Sequence, residues 1–538
     1  MLWHTMSFIS GFLPFRVTKT IRHTSSSIAV LVIAVAIVVW YFGFRWIPIN
    51  NDEAIHFHPI SCTLYPFATL HNFSGRCGEK DLLFWGIRLP LRSHYYAGAT
   101  SGLFFLPLWW LINSEVAIRV WEGLVWCLNT ILIARILCVP WALSTSIIGL
   151  SVPFILQSMI DTGPIAFQLL ALQCSIFLFL KGLFVRSWWR GCLLFALSGL
   201  SMFFSAEQKL FVVYAAPLAF FLFAIGYMHQ PRRLDSLRSR VTRFVVGIAF
   251  FLLVAGPLLV SLLYAKLLGG GFYIDLLRQL APRHSIATLP QWQESFQRLF
   301  KTYFIYPTNY SHRIYQMSFR DEVPHFSGEA SYVLLCGALI ITATLLLFRR
   351  RFKYLLIVLA APLLSIGSLF WTASSVKAWA GHHVFYSHII LFVGLTAGIY
   401  GLLPKMRAVA CILPAAILAS TLNSLWRIAH STPDVLSDLT RGELFKVVDE
   451  PVFASQYIVV HTQWGTYFID ALFGPQSQAV TWVEAGMTPD LDNTATKAGR
   501  KLAFITLANP GWGQASNGRK LVRRATSSSG KWELWAEP

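Results

Sequence analysis

The sequence has little charge. Only 13% of its 538 residues are Asp, Glu, Lys or Arg, about half the roughly 25% usual in soluble domains. With 55% hydrophobic residues it resembles no soluble globular class. Acids are scarcer than bases: 25 Asp and Glu stand against 44 Lys and Arg, a formal net charge of +19. The bases fall in short patches between apolar runs: Arg16, Lys19 and Arg22; Lys181, Arg186 and Arg190; Arg232 to Arg243; Arg349 to Lys353; and Lys405 with Arg407. Patches of that kind follow the positive-inside pattern of membrane proteins, so membrane lipid rather than nucleic acid is the expected neighbour. A phosphate-cradling glycine fingerprint is also missing. Gly269 to Gly271 precede no helix with Lys-Ser/Thr and read as a linker at the end of a span. No small-residue cleavage site follows the first apolar run, Ser27 to Ile47, so that run is kept as a span and not read as a signal peptide.

Long hydrophobic runs are what the sequence does have. The run from Ser27 to Ile47 is about 20 residues long, enough for a hydrocarbon core of roughly 30 Å. With the basic patches as cytoplasmic markers and the N-terminus inside, spans are expected near 27–47, 116–138, 141–158, 164–184, 190–206, 209–228, 244–265, 330–348, 354–372, 383–403 and 407–426. The fold expected is therefore an α-helical polytopic membrane protein of about eleven spans. Gly102 to Ile112, at about eleven residues, is too short to cross, and counting it would move the later basic patches outside. It is expected as a re-entrant or interfacial helix with Trp109 and Trp110 at headgroup level.

This topology puts a first loop, 48–115, outside, together with the long loop from Lys266 to Glu329 and everything after Arg427. Residues 1–430 form the expected membrane module. Residues 431–538 change character: "QYIVVHT", "AVTWVE", "KLAFITLA" and "KWELWAE" are short β-prone runs, with a helical stretch at "TYFIDALFG", and predict a small external α/β domain. Of the 8 cysteines, Cys127, Cys138, Cys174, Cys192, Cys336 and Cys411 fall in or beside spans and act there as small apolar residues. Cys62 and Cys77 lie in the first loop. In an oxidising compartment they could pair, closing a loop of about 15 residues for a gain of about 3 kcal/mol.

Acids near the spans collect on the external side. Asp52 and Glu53, in "NDEAIHF", follow the first span; Asp161, in "IDTGPIAF", precedes another; Glu207 and Lys209 sit together in "SAEQKLF". A carboxylate at a span centre costs roughly 2.5 to 3.5 kcal/mol on insertion scales, so acids at one interface either line a shared cavity or are solvated there. Each also has a plain reading. Asp52 and Glu53 suit the N-cap and first turn of a helix, Asp161 precedes Thr-Gly-Pro as a loop or cap residue would, and a lone Lys209 could snorkel. Asp52 and His56 stand one helical turn apart, and with Asp161 they could supply oxygen and nitrogen ligands to a divalent metal ion; the same histidine could equally be an interfacial hydrogen-bonding residue.

The order of these features, with "GATSGLFFLPLWWL" and "SEVAIRVWEGL" between them, resembles the GT-C superfamily of polyprenyl-phosphate-dependent glycosyltransferases, in particular the protein O-mannosyltransferase and aminoarabinose-transferase-like group. The likeness spans roughly residues 27 to 430. "HHVFYSHIILFVGL" occupies the place where such proteins often carry Arg-Tyr before a proline-containing span. The resemblance implies a sugar transferred from a polyprenyl-phosphate donor to a lipid, glycan or protein acceptor on the outer face of a membrane, here a bacterial inner membrane. It implies catalytic roles for Asp52, Glu53 and Asp161, and a lipid-phosphate site built from Lys209, Arg119, His382 and His383. Two rivals remain: a secondary transporter, disfavoured because no paired internal repeat is seen, and a lipid-linked glycan ligase or polymerase, which would centre on a large late loop.

Overall fold

A computed structural model of the chain describes residues 81–84, 87–90, 100–112, 115–151, 154–155, 158, 165–208, 214–229, 237–267, 293, 326–375, 381–403, 412, 415–416, 419, 447, 450–461, 480–482, 495–496, 499–507, 520–526 and 532–538. A two-stranded antiparallel hairpin comes first, β1 (Asp81–Phe84) and β2 (Ile87–Pro90). It lies in the first loop, where the sequence carried no expectation of strands. The helices follow: α1 (Thr100–Ile112), α2 (Glu115–Leu137), α3 (Trp141–Ser144), α4 (Ile165–Phe184), α5 (Trp188–Gln208), α6 (Ala216–His229), α7 (Leu237–Leu267), α8 (Phe326–Phe348), α9 (Phe352–Ser375) and α10 (Gly381–Leu402). Within the described residues, six stretches are long and apolar enough to cross a membrane: Val116–Leu137, Ile165–Phe184, Trp188–Glu207, Ser239–Leu259, Phe352–Leu369 and Phe385–Leu402. Each coincides with an expected span, and the chain is a multi-pass membrane protein.

Burial separates the spans. The apolar stretch of α10 is 94% buried, that of α7 only 11%. A helix that is apolar all round belongs at the centre of a bundle, and α10 takes that place because its glycines let neighbours approach. A Cβ at Gly394 would stand 2.4 Å from the Ala361 side chain of α9, and one at Gly398 would stand 2.4 Å from Val358. Small residues at such a seam give the close van der Waals packing that holds helices together where water supplies no driving force.

Polar staples set the register of α4 against α5. Ser175 and Ser198 share a hydrogen bond at 3.1 Å, and Ser198 Oγ also donates to the Ser175 carbonyl at 2.8 Å. Two helical turns further along, Gln168 Nε2 and Ser205 Oγ each donate to the other's carbonyl at 3.0 Å. One partner advances as the other recedes, so the two helices are antiparallel.

Between α2 and α4, the expected span 141–158 is not one regular helix. α3 widens into a π-helix at Thr145–Gly149 and stops at Leu150. The wide turn frees the Gly149 carbonyl, and the Trp126 indole donates to it at 2.8 Å. That hydrogen bond makes the break tolerable in an apolar interior, where an unsatisfied backbone group is costly.

The described residues of the basic patches gather at one end of the bundle. Lys181, Lys353 and Arg135 all lie within electrostatic reach of Cys138. Arg243 donates to the carbonyls of Val185 and Arg186 just past the end of α4 and lies over the Trp188 ring. Lys353 Nζ donates to the Met228 carbonyl in the last turn of α6 at 2.9 Å. These cations therefore sit at the negative ends of helix dipoles and satisfy terminal carbonyls.

The C-terminal residues form a five-stranded mixed sheet in the order β4-β3-β5-β7-β6, with β3 (Tyr457–His461), β4 (Val480–Trp482), β5 (Lys501–Leu507), β6 (Val522–Thr526) and β7 (Trp532–Ala536). β3 runs parallel to β4 and β5, while β7 pairs antiparallel with β5 and β6. Four of these strands match the expected β-prone runs. β6 does not: "VRRAT" is an edge strand whose charges face outward, as edges tend to require. The expected helix at "TYFIDALFG" lies outside the described residues.

The expected topology has a direct check. A reporter active only outside the cytoplasm should be active when fused after Glu115 and after Gly163. Activity after Phe184 instead would reverse the arrangement.

Candidate active site

The end of the bundle opposite the basic patches is polar in a different way. α2, α4 and α10 begin there and α5 ends there, and their terminal turns carry buried polar groups. In the first turns of α2, Arg119 and Glu122 are 4% and 3% exposed, and Arg119 Nη1 donates to Glu122 Oε2 at 2.6 Å. The spacing of three residues places both on one helix face. At the end of α5, Glu207 is 1% exposed and accepts a hydrogen bond from Thr100 Oγ1, the first residue of α1, at 2.5 Å. Gln168, in the first turn of α4, accepts from the Tyr386 hydroxyl of α10 at 2.7 Å while its amide nitrogen donates to Ser205 of α5. Three helices are thus tied together just inside this end by fully buried groups.

α1 packs on these same terminal turns. Phe104 meets Phe167 of α4 and Phe204 of α5 at ring separations of 5.6 and 5.5 Å, and Phe105 meets Trp121 of α2 at 6.0 Å. Its 13 residues span only about 20 Å, in keeping with a helix that does not cross. The two tryptophans of α1 are not placed alike. Trp110 is exposed, but Trp109 is buried against Phe105, because a helix packed on the protein turns adjacent residues about 100° apart.

Of the site residues expected from sequence, the structure describes Arg119 fully and His382 and His383 by backbone, in the first turn of α10. Tyr386 lies one turn below His382, so its bond to Gln168 fixes that end of α10 against α4. Asp52, Glu53, His56, Asp161 and Lys209 lie outside the described residues, as do Cys62, Cys77 and Cys411. Lys209 follows Glu207 by two residues in sequence. Glu122 was not among the expected site residues. Its signal was present, an acid three residues after an arginine inside an apolar run. Among the described residues no group of three or more His, Cys, Asp or Glu could hold a metal ion, and Cys127, Cys138, Cys174, Cys192 and Cys336 form no disulfide there.

No protein-family model matches the sequence, and no curated protein matches it either. Among solved structures, ArnT from Cupriavidus metallidurans in the apo state is similar, with 12% identity, a TM-score of 0.55, and coverage of 95% of this chain and 98% of that chain. ArnT is an aminoarabinose transferase of the GT-C superfamily. This chain has the GT-C fold. The archaeal oligosaccharyltransferase AglB from Archaeoglobus fulgidus, in complex with an inhibitory peptide and a dolichol-phosphate, matches at 12% identity, with a TM-score of 0.47 and coverage of 91% of this chain and 70% of that one. The Archaeoglobus fulgidus oligosaccharyltransferase in the apo form matches at 12% identity with a TM-score of 0.45, covering 90% of this chain and 69% of that one. The end carrying Arg119, Glu122, Glu207 and the start of α10 is the candidate functional site, for the charged groups buried there are costly to keep in an apolar bundle without a use.

Proposed function

We propose that the chain is a membrane glycosyltransferase that moves a sugar from a polyprenyl-phosphate donor to a lipid, glycan or protein acceptor on the outer face of the membrane. The observation that carries this reading is the coincidence of an ArnT-like fold over 95% of the chain with buried charge at one end of the bundle, including the Arg119–Glu122 pair. In the reaction, a carboxylate takes the proton of the acceptor hydroxyl, the acceptor oxygen bonds to the anomeric carbon, and the bond from that carbon to the phosphate oxygen breaks. The electron pair leaves with the lipid phosphate. Asp52 is the base, Glu53 and Asp161 hold the acceptor, and Lys209, Arg119, His382 and His383 offset the charge on the departing phosphate. Glu122 limits how Arg119 acts. The ion pair makes burial of the guanidinium tolerable and holds it in one orientation, which favours a fixed, preorganised positive charge over a mobile ligand. A divalent cation, if used, would take Asp52, His56 and Asp161 as ligands. In this reading the chain sits in a bacterial inner membrane, N-terminus in the cytoplasm and C-terminal sheet outside.

Membranes containing the protein should transfer label from radiolabelled polyprenyl-phosphate sugars to an acceptor, and control membranes lacking it should not. Equal labelling in both, across a panel of hexosyl and pentosyl donors, overturns the reading.

A further inference from the structure

Helices α2, α4, α6, α9 and α10 converge at the basic end of the bundle. A Cβ at Gly226 of α6 would stand 2.6 Å from the Leu180 side chain of α4 and 3.1 Å from the Ile136 carbonyl of α2, so the last turns of α2, α4 and α6 pack together. The start of α9 closes on them. Lys353 Nζ bonds the Met228 carbonyl at 2.9 Å, the Tyr354 ring lies 5.5 Å from that of His229, and Tyr400 of α10 meets Tyr354 at 6.2 Å. Arg135 and Lys181 are close enough to interact, and both lie with Lys353 around Cys138. The acids of the described helices, Glu115, Glu122, Glu207 and Glu329, belong to the opposite end.

Helix dipoles account for part of this. Arg135 and Lys181 stand in the last turns of α2 and α4 and offset the negative ends of those helices, and Lys353 satisfies a terminal carbonyl of α6. Lys181 is not used up in that way. It is half-buried, its ammonium group lies 5.4 Å from the centre of the Phe177 ring, and among the described residues no carbonyl or carboxylate accepts a hydrogen bond from it. An ammonium group partly withdrawn from water beside a second cation is costly unless an anion meets it. His229 adds a further polar atom, for Nδ1 bonds the Ile225 carbonyl at 3.0 Å while Nε2 is buried without a partner.

The surface beside this cluster is apolar. Phe352 and Leu356 of α9 are 61% and 64% exposed, and Tyr227 and Met228 of α6 are exposed next to them in the same end of the bundle. A fitting ligand joins a negative headgroup to hydrocarbon chains. We propose that the last turns of α2, α4 and α6, with the start of α9, form a binding site for an anionic phospholipid of the leaflet at this end, its phosphate held by Lys181, Arg135 and Lys353. The phosphate accepts charge-assisted hydrogen bonds from these cations, and the acyl chains lie along Phe352 and Leu356. The site is separate from the candidate functional site at the other end and does not depend on the glycosyltransferase reading.

The test counts lipid bound to the full-length protein, purified in a neutral detergent, by native mass spectrometry, with thermal unfolding recorded on the same samples. Phosphatidylglycerol should bind, and phosphatidylcholine, with the same chains and no net charge, should not. Lys181→Met keeps most of the apolar stem and removes the charge. It should weaken phosphatidylglycerol binding about tenfold, the effect of losing one hydrogen bond to a charged group, and should leave the lipid-free protein at least as stable as wild type, because an unpaired half-buried charge is gone. Arg135→Gln changes an exposed residue, should weaken binding in the same direction, and supplies the answer should Lys181→Met fail to fold. Arg190→Gln, at the same end but outside the cluster, should stay within about twofold of wild type, since exposed charges act weakly at a distance through salt solution. Binding at the wild-type level by both Lys181→Met and Arg135→Gln overturns the proposal, as does equal binding of the two lipids. A loss with Arg190→Gln as large as with Lys181→Met would also overturn it, showing diffuse attraction to the basic patches instead of a built site. Displacement of phosphatidylglycerol by excess inorganic phosphate at constant ionic strength would identify a site for soluble phosphate and overturn the lipid assignment.

Discussion

Asp52→Asn should lower sugar transfer by a factor on the order of 10² or more, because general-base catalysis contributes roughly 10² to 10⁴. The change preserves shape and removes the proton acceptor. It also separates the two readings of "NDEAIHF". Asn caps a helix about as well as Asp, so a residue that only caps would lose little by the exchange. Expression and lipid-phosphate binding should remain near normal, since the phosphate is assigned to Lys209, Arg119 and the start of α10. Transfer and binding measured on Asp52→Asn and on Lys209→Ala in the same membranes decide the matter. The first variant should lose transfer and keep binding, and the second should lose binding. Near-normal transfer by the asparagine variant would return Asp52 to the role of a helix cap.

The second large effect concerns the ion pair at the start of α2. Arg119 and Glu122 are both more than nine-tenths buried and 2.6 Å apart. Taking one partner from a buried pair costs roughly 3 to 5 kcal/mol, whereas replacing both by apolar residues of similar volume is often neutral. Glu122→Leu should therefore sharply reduce the amount of folded protein recovered from membranes. The double variant Arg119→Met with Glu122→Leu should recover much of that stability and still transfer no sugar at a normal rate, because the fixed positive charge is gone. Thermal unfolding of the detergent-purified variants, followed by transfer assays on the folded fraction, checks both parts. Full activity in the stable double variant would remove Arg119 from the phosphate site and leave the pair with a purely architectural role.

The π-helix at Thr145–Gly149 shows where a hydropathy pattern stops being informative. A run of apolar residues from 141 to 158 is equally compatible with a straight helix and a broken one, since the pattern records transfer to an apolar environment and not hydrogen-bond geometry. What decides the break is a tertiary partner, the Trp126 indole on the Gly149 carbonyl. The same limit applies to β6. "VRRAT" lacks the apolar alternation of a strand, and it pairs because β7 lies beside it and Glu533 meets Arg523 at 2.9 Å.

By itself, the amino-acid sequence determined the solvent this protein lives in. Low charge, long apolar runs and patches of base between them leave only a multi-pass membrane protein, because transfer free energies add along a segment regardless of its partners. It determined the positions of the six described spans and four of the five C-terminal strands for the same local reason. The tertiary structure alone decided which span is central, through the close approach of α9 to Gly394 and Gly398 of α10. It alone decided that Glu122 pairs with Arg119 in burial and that Glu207 is held by Thr100. These last facts depend on groups brought together from distant parts of the chain or turned inward together. A buried charge is stable only through its partner, and the partner's identity is a property of the fold.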